Sequence, residues 1–236
     1  MQFIKKNRRS PNMTGTRIIE FCGLPGSGKS TISHYLASNL LIGKNVAEIY
    51  DARKLRGLWN VAKIFSIRSF LLFLKSIPIY SFVHIGKIHY LLSPYKKSLT
   101  YDCIKKYSNY DYVFVHHGVL QSYVSALYGN DGNMEKYKKE ITAYLKTVNV
   151  DMVVYIQTSI ETAYERIKKR NQKDHGRLDA LDNEAMLLAL QKQKVNFDHL
   201  AEMSDMAGIN TISLNGENTI EEIIEESLTY GFFETL

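Results

Sequence analysis

Cysteine is scarce in this chain: Cys22 and Cys103 are the only two. Two thiols build no disulfide framework, which excludes the small stapled secreted folds and makes a reducing cytoplasm the expected compartment. Long apolar runs are missing too. The most apolar region, residues 64–92, is interrupted by Arg68, Lys75, His84, Lys87 and His89, whereas a membrane-spanning helix needs about 20 mostly apolar residues. One or two buried helices are the expected use of that region; a face for a membrane surface or a partner is the alternative. Residues 1–16 are polar and basic, without the apolar stretch of a secretory leader. Residues 1–14 are expected to form a flexible tail. No internal repeat or low-complexity linker occurs, so residues 15–236 read as one domain with a substantial core.

Acidic residues are outnumbered: 30 Lys and Arg against 24 Asp and Glu give a formal net charge of +6. The cations are spread in pairs, such as Lys96-Lys97, Lys105-Lys106 and Lys138-Lys139, with one cluster at 166–177. Nucleic-acid binding needs a concentrated patch and is not expected. The charge reads instead as a polyphosphate-binding balance.

What is present is a complete phosphate-binding signature, Gly23-Leu24-Pro25-Gly26-Ser27-Gly28-Lys29-Ser30, fitting G-x-x-x-x-G-K-[ST]. Glycines let the backbone turn closely round a phosphate. Successive N–H groups then form an anion-binding hollow, and the following helix adds its positive end. Lys29 is placed to reach the β- and γ-phosphates, and the Ser30 hydroxyl to ligate Mg²⁺. Arg17–Cys22 before it reads as a strand. Ile32, Tyr35, Leu36 and Leu40 after it recur at helical spacing. Strand, glycine loop, helix is the order the motif requires.

Further strands are expected at 45–50, 112–116, 152–157 and 209–214, separated by helical patterns. One of these covers 133–147, with Met134, Tyr137, Ile141, Tyr144 and Leu145 on one face. Capping boxes at Thr158-x-x-Glu161 and Asn218-x-x-Glu221 open two more helices, the last directing Ile220, Ile223, Ile224 and Leu228 inward. The alternation implies an α/β fold whose five-stranded parallel sheet is covered on both faces. Ligands then sit beyond the carboxyl ends of the strands. The residues there are the phosphate loop, Asp51 and Arg53, His116-His117-Gly118 with Gln121, Arg166 to Arg177, and Asn215-Gly216.

In order and spacing these features resemble the P-loop nucleoside and nucleotide kinases, the group of thymidylate kinase, over nearly the whole chain after residue 15. The resemblance implies a three-layer α/β/α P-loop NTPase fold, a helical acceptor insert at 51–110 and a lid at 166–182. ATP and Mg²⁺ are the implied cofactors, with the donor held by Gly23, Pro25, Gly26, Ser27, Gly28, Lys29, Ser30 and Thr31. Glu161 to Arg170 resembles the family's R-x-x-x-R helix and lid. Arg166 and Arg170, four apart on one helix face, and Arg177 would contact the transferring phosphate. Asp51 and Arg53 resemble the acid and arginine that hold the acceptor. An acid there orients or deprotonates a hydroxyl, although Asp is also a common helix cap. Gln121 is a further acceptor contact. One departure stands out: many relatives end the third strand with an acidic residue, where this chain has His116-His117. Imidazole is a poor Mg²⁺ ligand. Asp51 then supplies the carboxylate, or Ser30 and phosphates hold the metal, or catalysis is weakened; alternatively a histidine binds an anionic acceptor or acts as base.

The expected function is transfer of the γ-phosphate of ATP to a small acceptor: a nucleoside, a nucleoside monophosphate or a sugar-type metabolite. A nucleotide-binding regulatory or assembly protein is the alternative. The lack of a correctly placed N-K-x-D and of D-x-x-G argues against a GTPase, and the lack of L-S-G-G-Q against an ABC-type ATPase. A homodimer through the 64–108 helices is the partner expectation besides the small molecules.

Overall fold

The strand that carries the phosphate loop is also the centre of the sheet. The computed structural model describes residues 15–39, 41, 43–49, 66–77, 92–127, 134–169, 178 and 181–229. The tail 1–14, Asp51, Arg53, Arg170 and Arg177 lie outside the described residues. Strand β1 (Arg17–Gly23) runs between β3 (Tyr112–Val115) and β4 (Met152–Gln157), with β2 (Val46–Ile49) and β5 (Asn210–Asn215) at the edges. The order is β2-β3-β1-β4-β5 and every pair is parallel. The strands lie within one or two residues of the expected ranges.

Alternation along β1 divides the core. Ile19 and Phe21 join the cluster that includes Ile32 and Leu36 of α1 (Lys29–Asn39) and Ile223 of α8 (Ile220–Thr229). Ile18 and Cys22 join the opposite, larger cluster. That face is covered by α2 (Ile67–Ser76), α3 (Ser93–Tyr107), α4 (Val119–Leu127), α5 (Lys138–Leu145), α6 (Ile160–Lys169) and α7 (Asn183–Met206). The result is the expected three-layer α/β/α arrangement. Burial pushes the Cys22 thiol far up, so it packs as a small core residue.

Two helices of the 51–110 region are described, and their aromatic residues other than the exposed Tyr107 are used for packing. Phe73 of α2 meets Tyr95 of α3 at 5.3 Å and Tyr144 of α5 at 5.4 Å between ring centroids. Ile67 and Leu71 of α2 remain 68% and 52% exposed. Among the described residues no helix is long and apolar enough to cross a membrane. The segment at 133–147 begins as a 3₁₀ turn, Met134–Tyr137, before α5, and buries Met134, Ile141, Tyr144 and Leu145 as expected.

Both helix caps sit one residue later than the sequence suggested, and only the second is a reciprocal box. Ser159 Oγ, not Thr158, accepts the Thr162 N–H at 3.1 Å. Thr219, not Asn218, pairs reciprocally with Glu222: Thr219 N–H donates to Glu222 Oε2 at 2.8 Å, and Glu222 N–H to Thr219 Oγ1 at 3.3 Å. Thr158 is buried beside Gly216, and Asn218 accepts from Asn215 Nδ2 at 2.9 Å, so neither is available as a cap. The shift leaves Ile223 and Ser227 facing inward on α8 and Leu228 50% exposed, against the expectation for Leu228.

Candidate active site

The loop's glycines are there for two different physical reasons. Gly23, Gly26 and Gly28 all take positive φ, at +143°, +83° and +89°. At Gly23 a Cβ would lie 2.6 Å from Ile156 O, and at Gly26 2.6 Å from Ala163 O. The backbone therefore presses against β4 and α6. At Gly28 the nearest atoms lie at 3.8 and 4.0 Å, the second being Arg166 Nη1, so only the backbone angle demands glycine. Lys29 Nζ donates to Gly23 O at 2.9 Å and Leu24 O at 2.7 Å, with Ser27 Oγ at 3.3 Å. Its ammonium thus sits inside the hollow, held by carbonyl oxygens that a phosphate oxygen can replace.

Arg166 reaches the same place from α6. Its Nη1 donates to Gly216 O at 2.9 Å, in the turn after β5. A cleft of about 480 Å³ is lined by residues 25–32, His117, Gln121, Arg166, Gly216, Asn218, Ile220 and Ile223. The sequence-predicted loop residues from Pro25 to Thr31, with Arg166, His117 and Gln121, are therefore brought together. Gly216, Asn218, Ile220 and Ile223 add a wall of which only the Asn215-Gly216 turn was foreseen. Gln121 is 8% exposed, and its Oε1 is buried with no hydrogen-bond partner among the described residues.

The two histidines separate. His117 is exposed on the cleft. His116 is 1% exposed and lies in the wall behind it. Ser33 Oγ of α1 is 3.2 Å from its Nε2, Glu48 Oε1 is 3.9 Å away, and Phe21 stacks on the ring at 6.1 Å. Burial, aided by the Lys29 charge and opposed by Glu48, pulls the His116 pKa down to about 4. Of the two imidazoles, only His117 is among the residues lining the cleft. Among the described residues no group of three His, Cys, Asp or Glu is arranged to hold a metal ion.

Sequence reading passed over Glu20. It points from β1 into the larger core and is fully buried. Its Oε1 accepts from Leu120 N at 2.7 Å and lies 3.4 Å from Gln121 N; its Oε2 accepts from Val119 N at 2.9 Å and from Tyr101 Oη at 2.8 Å. The carboxylate closes the N-terminus of α4. Burial raises its pKa, against the lowering pull of Tyr101, the α4 amides and Lys97. The available signal was a lone acid inside an apolar strand, which requires a partner that sequence does not locate.

A glycine loop between the central strand and its helix, with a cleft shared by an arginine from the helix after β4, defines a P-loop kinase. The deoxynucleoside kinase family model matches residues 19–181, and the chain belongs to that family. Its fold is similar to deoxyadenosine kinase from M. mycoides with bound dATP, at TM-score 0.51 and 16% identity over 90% of this chain and 97% of that one. The same kinase with bound dCTP gives TM-score 0.52 and 17% identity over 93% and 100%. No curated protein matches the chain.

Proposed function

We propose that the protein transfers the γ-phosphoryl group of ATP to a hydroxyl of a deoxynucleoside. The observation that carries this is the single cleft in which Lys29, Ser30, Arg166 and Gln121 meet. Phosphoryl transfer needs positioning and charge neutralisation more than covalent chemistry. The loop amides and Lys29 hold the β- and γ-phosphates. Arg166, with Arg170 and Arg177 as further candidates, neutralises the charge that develops. The acceptor oxygen bonds to the γ-phosphorus as the bond to the β,γ-bridging oxygen breaks. ADP leaves, and the hydroxyl proton passes to a base, for which Asp51 is the candidate.

The described residues suit Mg²⁺ in one respect: Ser30 presents an exposed hydroxyl oxygen on the cleft, while nucleotide phosphates supply the other hard ligands. When bound, the ion neutralises phosphate charge. A nucleoside is favoured over a nucleoside monophosphate on the described acceptor side. There the lining residues are His117 and Gln121, neither with a fixed positive charge, and Glu20 occupies the α4 N-terminus. Arg53 remains a candidate acceptor contact. The buried thiols of Cys22 and Cys103 suit a reducing cytoplasm. A nucleotide-binding protein with weak turnover is the second reading, favoured by the neutral His116 at the end of β3.

The test is an acceptor screen with Mg²⁺-ATP over nucleosides, nucleoside monophosphates and sugars. Lys29→Ala should lower acceptor-dependent ADP release at least about 100-fold, as losing a charge-stabilising donor does, with folding intact. ADP release that is unchanged in the variant would sink the assignment.

A further inference from the structure

We propose that Glu20 is a positioning residue for the acceptor wall of the cleft; the inference rests on the kinase reading above. Its carboxylate takes the first N–H groups of α4, Val119 at 2.9 Å and Leu120 at 2.7 Å. Those groups point outward at any helix start and need an acceptor. The same first turn carries Gln121, which lines the cleft, and only Gly118 separates that turn from His117, which lines it too. Helix α3 closes the assembly from the other side. Tyr101 Oη donates to Glu20 Oε2 at 2.8 Å, and Lys97 Nζ donates to the His117 carbonyl oxygen. The start of α4 is thus fixed by one buried carboxylate, one phenol and one ammonium, and both acceptor-side residues ride on it.

Glu20 also explains Gly118. A Cβ there would lie 2.1 Å from Glu20 Cδ and 2.2 Å from Tyr101 Oη. Glycine at 118 is the space the carboxylate occupies. Gly118 and the acid on β1 are therefore one feature. The negative charge lies beneath α4, where it orients the wall without touching the acceptor.

The test compares the wild type, Glu20→Gln and Tyr101→Phe. Steady-state kinetics are measured with ATP and each of the four common 2′-deoxynucleosides, alongside thermal unfolding. Glutamine keeps the size, but its nitrogen side is a donor and accepts from neither Val119 nor Tyr101. KM for the deoxynucleoside should rise about tenfold or more, as for a misplaced positioning group, while KM for ATP stays within about twofold. Tyr101→Phe should move the same constant less. Equal KM values in all three proteins overturn the inference and leave the kinase reading standing. Parallel loss for both substrates, with collapsed unfolding in both variants, makes Glu20 a fold residue only and also overturns it. A wild type without deoxynucleoside-dependent turnover overturns the kinase reading, and this inference with it.

Discussion

At the scale of single residues, Gly26 and Gly28 separate two costs that the motif conceals. Gly26→Ala adds both a positive-φ penalty and a contact 2.6 Å from Ala163 O, and should destabilise by about 2–4 kcal/mol. Gly28→Ala meets no backbone atom and should cost about 1–2 kcal/mol; urea unfolding distinguishes them. His116 adds a pH effect. Its pKa falls from 6.5 unfolded to about 4 native. Within that window the unfolded chain binds a proton that the native imidazole refuses, so stability falls as pH drops, by roughly 3 kcal/mol in total. His116→Phe should flatten this slope between about pH 7 and pH 4.5. The phosphate loop was legible because its chemistry lies in eight consecutive residues. Glu20 was not, because its partners Val119 and Leu120 lie 99 and 100 positions away, and no periodicity links them.

At the scale of elements, the strands were legible from short apolar runs, and α6 and α8 from their capping residues, each read one position early. At each start two adjacent residues can cap, and the turn geometry chooses: Thr158 packs against Gly216, and Asn218 ties to Asn215. Thr219→Ala should therefore cost about 1 kcal/mol of stability, the usual price of a lost cap, and Asn218→Ala less, by denaturant titration. The division of His116 from His117 was not legible either. Where β3 ends decides which imidazole enters the wall, and strand ends are set by pairing with β1 and β2. Of the aromatic residues on the described insert helices, Phe73, Tyr95 and Tyr101 are in the core.

At the scale of the whole molecule, strand order places chemistry and protection on the same element. β1 is hydrogen-bonded on both sides, and Ile18, Ile19, Phe21 and Cys22 are fully buried, while β2 and β5 are partly exposed edges. Hydrogen exchange should show the β1 amides opening only with global unfolding, and the edge strands opening at lower free energy. Local opening of β1 would contradict this. The phosphate loop is the direct continuation of that strand, so ligand and core are thermodynamically linked. A nucleotide that binds only the native loop should slow exchange at every globally protected amide by the same increment, about 2.7 kcal/mol at 100 times its Kd. Distance from the cleft would then not matter: the far end of β1 would report occupancy as faithfully as Lys29.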